Sequence, residues 1–245
     1  MAAHLSVNLN AIALLRNRRN LPWPSVTGFG AMALDAGAHG LTVHPRPDER
    51  HIRMTDVYEL ADMISKDYTG REFNIEGYPD ARFMALIEAV QPDQVTFVPD
   101  DPAQETSDHG WDVAGNEALL RDVITRAQQQ GCRVSLFIDA LPEAAKAAAG
   151  VGADRIEIYT GPYGALSDTA QLQAELERLA LTTEAATAAQ LGVNAGHDLT
   201  LENLPALMAK APMITECSIG HCFTADCLIY GVEETVKRYL KQLGH

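Results

Sequence analysis

Residues 36–46 read AGAHGLTVHPR, and residues 151–161 read VGADRIEIYTG. Both set a helix end, a Gly-Ala pair, a short β-rich run and a polar loop in the same order, which is the joint between successive βα units. Outward from these two joints, short runs rich in branched residues recur at 5–9, 40–43, 73–75, 94–98, 133–138, 155–158, 192–194 and 214–219. Between them, apolar residues fall at three- and four-residue spacing, the period of a half-buried helix. Val57, Leu60, Ala61 and Ile64 share one such face, as do Phe83, Leu86, Ile87 and Val90, and Leu120, Val123, Ile124 and Ala127. Eight strands alternating with helices over 245 residues give ~30 residues per unit. The pattern predicts an α/β fold, a closed (β/α)8 TIM barrel with extra helices; a doubly wound open sheet is the alternative. No linker or composition break divides the chain, so residues 1–245 read as a single barrel catalytic domain. Helical residues 11–18, ahead of Pro22-Trp23-Pro24, exceed the simple unit.

Composition narrows the partners. Nineteen basic residues stand against 33 acidic ones, a formal net charge of -14. A chain this acidic is a poor binder of nucleic acid, and an anionic ligand needs a local cationic pocket. No run approaches the ~20 apolar residues of a membrane helix. The opening MAAHLSVNLN lacks the basic and apolar regions of a signal peptide. Cys132, Cys217, Cys222 and Cys227 form no CxxC pair and read as reduced cytoplasmic thiols; no metal site is expected.

In barrels of this kind the chemistry sits at the C-terminal ends of the strands. Here those ends carry Asn8 and Asn10, then His44 with Arg46 and His51, then Glu76. The fourth loop, from Pro99 to about Gly115, holds Thr106, Ser107, Asp108 and His109 and has the length of a lid. Glu157 alternates with Ile156 and Ile158, so a strand there turns it away from both isoleucines and into the barrel. An imidazole such as His44 titrates near pH 7, and a buried carboxyl such as Glu76 has a raised pKa, so both suit proton transfer. The seventh and eighth loops, NAGHDLT with His197 and IGHCFTAD with Gly220 and His221, are where barrels hold phosphate. Lys66, Lys146, Lys210, Lys237 and Lys241 all fall in helical stretches, which argues against an aldolase or isomerase working through a lysine Schiff base. A non-catalytic phosphometabolite-binding barrel would not need four ionisable residues at one mouth.

Nine segments in order resemble the pyridoxine 5'-phosphate synthase family, PdxJ: VNLNAIALLRNRR (7–19), GLTVHPRPDERHIR (40–53), FNIEG (73–77), VTFVP (95–99), WDVAG (111–115), RVSLFID (133–139), IEIYTGPY (156–163), VNAGHDLT (193–200) and SIGH (218–221). The resemblance implies condensation of 1-deoxy-D-xylulose 5-phosphate with 3-amino-2-oxopropyl phosphate to pyridoxine 5'-phosphate, without metal or organic cofactor. It implies a homo-oligomer, typically an octamer. His44 and Glu76 would accept protons, His197 would donate one, and Glu157 would stabilise a transition state near a cationic Schiff base. Asn8, Arg19, Asp198, Gly220 and His221 would hold the aminoketone phosphate. Asn10, Ala11, Arg46, His51 and Thr106 would hold the ketose phosphate. The sequence departs from the family pattern at Asn10-Ala11, where Asp-His is usual, and at Asp198, where Gly is usual. The fourth loop reads TSDHG (106–110) rather than TTEGG, and the eighth continues as CFTAD.

Overall fold

A period of two runs through every strand, and it sorts apolar from polar. Leu5, Val7, Leu41, Val43, Ile75, Val95, Val134, Leu136, Ile156 and Ile158 are all buried, and they form one apolar core with the surrounding helices. The alternate positions are polar and equally buried: Ser6, Thr42, Asn74, Thr96, Ser135 and Asn194. Four of them, on the first four strands, bond to one another inside the barrel, whereas Ser135 Oγ has no partner among the described residues. Ser6 and Thr42 hydroxyls meet at 2.7 Å, Asn74 Nδ2 donates to Thr42 Oγ1 at 3.3 Å, and Thr96 Oγ1 donates to Asn74 Oδ1 at 3.1 Å. Pairing of this kind offsets the cost of burying polar groups.

The computed structural model describes residues 2–19, 21–100 and 107–245. Eight parallel strands close into a barrel in sequence order: β1 (His4–Asn8), β2 (Gly40–Val43), β3 (Glu72–Gly77), β4 (Gln94–Phe97), β5 (Arg133–Ile138), β6 (Arg155–Tyr159), β7 (Gly192–Gly196) and β8 (Glu216–Ile219). The closing pair sets Leu5 against Cys217 and Val7 against Ile219. The predicted barrel is present; the doubly wound sheet is excluded by that closure.

The helices, in chain order, are α1 (Asn10–Asn17), α2 (Val26–Asp35), α3 (Met54–Asp67), α4 (Ala81–Val90), α5 (Glu117–Gln129), α6 (Pro142–Gly150), α7 (Gly161–Ala165), α8 (Thr169–Ala188), α9 (Leu204–Lys210), α10 (His221–Tyr230) and α11 (Val232–Gln242). Helix α1 is the extra element expected at 11–18. It buries Ile12, Ala13 and Arg16. The Arg16 guanidinium pairs with Asp56 and donates from Nη2 to the His51 carbonyl at 3.2 Å. Asp56 in turn accepts from the Arg53 N–H at 2.7 Å, capping α3. So α1 is tied to the loop after β2. No helix among the described residues is long and apolar enough to cross a membrane.

Candidate active site

The same period of two carries each strand from the lumen to the barrel mouth. Asn8 stands two residues beyond Ser6, His44 beyond Thr42, Glu76 beyond Asn74, Glu157 beyond Arg155 and Ser218 beyond Glu216. These five side chains line one cavity of about 270 Å³. Of the other residues expected from sequence, Asn10, Ala11, Arg46, His51, His197, Asp198, Gly220 and His221 line it too, and Ser107 and Cys222 join them.

A relay of asparagines fixes the first side of the mouth. The Asn10 N–H donates to Asn8 Oδ1 at 2.9 Å, and the His44 N–H donates to Asn10 Oδ1 at 2.9 Å. Asn8 Nδ2 donates to Glu76 Oε2 at 3.5 Å. His44 Nδ1 lies 3.9 Å from Glu76 Oε2, and its Nε2 lies 3.5 Å from Asp100 Oδ2. Asp100 pairs with Arg46 and accepts from Ser107 Oγ at 3.0 Å. Burial, then the nearby Asp100 charge, pushes the Glu76 carboxyl up to about 8. Burial also holds His44 well below its usual range, with Arg46 and His51 adding to the effect. His51 Nδ1 accepts from the Ile52 N–H at 2.9 Å, and burial with Arg46 brings the ring down to about 4. These shifts favour the neutral forms of Glu76 and of both imidazoles.

The opposite side holds unpaired groups. Glu157 Oε2 and His197 Nδ1 are buried without a hydrogen-bond partner among the described residues. Burial raises Glu157 well above the carboxylate range, and Glu76 adds to it. Gly196 makes room for this acid, since a Cβ there would stand 2.3 Å from Glu157 Oε1. His197 has φ 79 and Asp198 φ 54, a left-handed pair that side chains rarely adopt. The His197 ring is set between Phe137 at 5.1 Å and Tyr159 at 5.4 Å. Burial lowers its pKa. Buried donors and acceptors left open toward a cavity are the places where a ligand makes its bonds. Helix α10 starts beside them, with Gly220 as N-cap, so its first N–H groups face the cavity and suit an anion.

One expected residue falls elsewhere, and one is not described. Arg19 is exposed beyond the end of α1, in a separate groove with Arg16, Ser25 and Arg53. Thr106 lies outside the described residues. The fourth loop is not free along the whole stretch read as a lid. Its later part is pinned: Trp111 Nε1 donates to the Phe97 carbonyl at 2.9 Å, and the Gly110 N–H donates to Asp139 Oδ1 at 3.0 Å. The sequence reading sets Asp100 and Ser107 in the loop after the fourth strand but assigns no role to them, nor to Ser218 or Cys222. The alternation along β8 would have found Ser218; Asp100 and Ser107 sit in aperiodic polar loop and give no such signal. Among the described residues, no group of three or more His, Cys, Asp or Glu side chains is placed to hold a metal ion.

A family model described as pyridoxal phosphate biosynthesis protein PdxJ matches residues 5–245. The chain belongs to the PdxJ family. As a PdxJ chain it is 60% identical over 245 residues to pyridoxine 5'-phosphate synthase of Mesorhizobium japonicum, with 100% of both chains covered. It is 58% identical to the enzyme of that name from Chelativorans sp., covering 98% of each chain, and 55% identical to that of Brucella anthropi over 100% of both. Among solved structures, a mutant tryptophan synthase alpha-subunit from Pyrococcus furiosus superposes with TM-score 0.64 at 12% identity, covering 100% of this chain and 98% of that one. The YdjI aldolase from Escherichia coli K12 gives TM-score 0.64 at 10% identity, covering 98% and 88%. At such identities these two share the barrel alone with PdxJ.

Proposed function

We propose that this chain carries out the pyridoxine 5'-phosphate synthase reaction of vitamin B6 biosynthesis. It condenses 1-deoxy-D-xylulose 5-phosphate with 3-amino-2-oxopropyl phosphate, giving pyridoxine 5'-phosphate, phosphate and water. One observation carries the reading beyond family membership: two imidazoles and two carboxyls, all shifted by burial toward their neutral forms, face one cavity beside a helix N-terminus. Joining an amine to a ketone and closing an aromatic ring needs several proton transfers, and groups poised near neutrality serve them best. His44 and Glu76 accept protons and His197 donates one. Glu157 meets the cationic Schiff base: a positive charge beside a protonated, unpaired carboxyl lets it ionise, which stabilises that charge. The aminoketone phosphate is held at Gly220, His221 and the α10 N-terminus, with Asn8 and the Asp198 backbone. The ketose phosphate is held by Arg46 and His51, with Asn10, Ala11 and Thr106. Arg19 does not line this cavity and lines a separate groove instead. All five lysines lie on α3, α6, α9 and α11, so a lysine Schiff base is not the route. Purified protein given both substrates without added metal should form pyridoxine 5'-phosphate, followed by its ultraviolet absorption; no product at any pH from 6 to 9 would overturn the reading.

We further propose that the chain works in the cytoplasm as a homo-oligomer. Its cysteines are free, Cys132 and Cys217 being buried, which suits a reducing compartment. Leu228 and Ile229 on α10 are 77% and 71% exposed, and Leu14, Leu15 and Met32 lie exposed on α1 and α2, which pack together with α10. Apolar residues gathered on neighbouring helices mark an interface, here with a second copy. The octamer remains the family's expectation. Leu228→Asp with Ile229→Asp should lower the mass seen by sedimentation; an unchanged mass, or a monomeric parent, would overturn the oligomer.

A further inference from the structure

Asp100 is buried directly after β4, and no step above uses it. Two donors converge on its Oδ2, and a ring nitrogen stands beside them. Ser107 Oγ donates to it at 3.0 Å, the Arg46 guanidinium pairs with it, and His44 Nε2 lies 3.5 Å away. The other ring nitrogen, Nδ1, faces Glu76 Oε2 at 3.9 Å. His44 thus stands between two carboxyls in different surroundings. Burial acts on both. At Asp100 the Arg46 charge and the Ser107 hydrogen bond oppose it; at Glu76 the Asp100 charge reinforces it. Burial raises Asp100 on balance, but its Oδ2 pairs with the Arg46 guanidinium and accepts from Ser107 Oγ, and this direct cationic contact assigns the anion to Asp100 and the proton to Glu76.

A carboxylate oxygen already taking a guanidinium and a hydroxyl has no proton to give. The ring nitrogen facing it must be the donor. We infer that Asp100 is a positioning residue that fixes His44 with its proton on Nε2 and aims the Nδ1 lone pair at Glu76 and the cavity. The logic is that of the acid behind the imidazole in a serine-protease triad, which holds one tautomer and steadies the imidazolium that forms. It also gives the Arg46–Asp100 pair a role in the chemistry: Arg46 keeps Asp100 ionised, and Asp100 keeps His44 a base. The groups facing His44 are consistent with this. Glu76 comes from β3, Arg46 and His51 from the loop after β2, His197 from the end of β7 and Arg82 from α4. The remaining charges near Asp100 are Asp108 and His109.

This inference rests on the proposed reaction for its kinetic arm but not for its spectroscopic one. Nitrogen NMR of histidine-labelled protein, with His44 assigned from a His44→Asn sample, reads the tautomer without substrate. The expected result is Nε2–H in the parent, retained in Asp100→Asn, which keeps the oxygen, and a mixture in Asp100→Ala. In turnover, Asp100→Asn should lower kcat about tenfold and Asp100→Ala on the order of a hundredfold, the range of one general-base contribution. KM for the ketose phosphate should not rise in Asp100→Asn, because Arg46 loses a competing anion. The acid limb of kcat/KM should move to lower pH, because Glu76 loses a neighbouring negative charge. A parent ring protonated on Nδ1, an Asp100→Ala ring that keeps the parent tautomer, or an unmoved acid limb in Asp100→Asn would overturn the inference. If Asp100→Ala does not fold, the parent spectrum and the Asp100→Asn profile decide. An inactive parent would defeat the synthase reading and leave the NMR arm standing; an active parent with contrary spectra would defeat this inference alone.

Discussion

At the scale of the residue, Glu76 is the cavity-lining carboxyl whose environment moves it from its chemistry in water to within reach of neutrality. Its carboxyl is moved from 4.5 to about 8. To accept a proton it must ionise, so activity should rise with pH toward that value. Glu76→Gln cannot ionise, and kcat should fall by a factor on the order of 10²–10⁴ with substrate affinity little changed, read from steady-state kinetics. An unchanged kcat would remove Glu76 from the base role. Asp198 tests the opposite kind of change. Its φ of 54 is one that Gly adopts freely, and its Cα–Cβ bond leans on Gly164, where an added Cβ would stand 2.5 Å from the Asp198 Cβ. Asp198→Gly relieves the backbone and removes an acid from the cavity wall, so stability should change by under about 1 kcal/mol and phosphate affinity should hold or rise. A large loss of affinity in titration calorimetry would give that acid a positive role. His44, Glu76, Glu157 and His197 were legible because each follows or interrupts an apolar strand. Asp100 was not, because its role depends on where the Arg46 and His44 side chains meet it.

At the scale of the element, β2, β5 and the cores of the other strands are found where the alternation and branched residues put them. Helix α8 was harder to delimit, since its buried face carries Thr182, Thr183 and Glu175 among leucines and alanines, which blurs an apolar stripe. The split of the C-terminal segment into α10 and α11 follows from Gly231 at φ 77, shared by the end of one helix and the start of the next. The join between α1 and α3 was invisible, because it depends on a single buried ion pair between Arg16 and Asp56, forty residues apart. Asp56 also caps α3, and Arg16 also holds the His51 carbonyl. Asp56→Ala strips one partner from a buried pair and leaves a guanidinium uncompensated. It should destabilise the protein by about 3–5 kcal/mol, measured by chemical denaturation. A change below about 1 kcal/mol would place the pair among solvated surface bridges.

At the scale of the molecule, the polar lumen makes folding itself depend on pH. The formal net charge of -14 counts every carboxyl as ionised, whereas burial inside the barrel raises the pKa of Glu76, Glu157 and Glu216 and favours their protonated forms. Glu76 and Glu216 both move up to about 8, each chiefly through burial, and burial also raises Glu157 well above the carboxylate range. A raised carboxyl pKa means that the folded chain binds a proton the unfolded chain has released. Its contribution is intact below the unfolded value of 4.5 and is lost as pH climbs through the folded one. The buried histidines pull the other way, but only at lower pH. His39 and His51 are lowered to about 4, so they raise stability between there and 6.5 and contribute no slope above it. From pH 6.5 to 8 the carboxyls act alone among these shifted groups. Each proton held only by the folded state gives ~1.4 kcal/mol per pH unit, so Glu76 and Glu216 together should remove roughly 2–4 kcal/mol across that window. Denaturant titrations of the ligand-free protein at both ends of the window should show the midpoint falling with little change in slope. Glu76→Gln should abolish one carboxyl's share of the fall, roughly 1–2 kcal/mol, because the amide has no proton to lose. A midpoint that stays level or rises from pH 6.5 to 8 would mean that these acids are already ionised in the folded barrel. Glu76 would then be a base from the outset, needing no substrate charge or rise in pH to make it one.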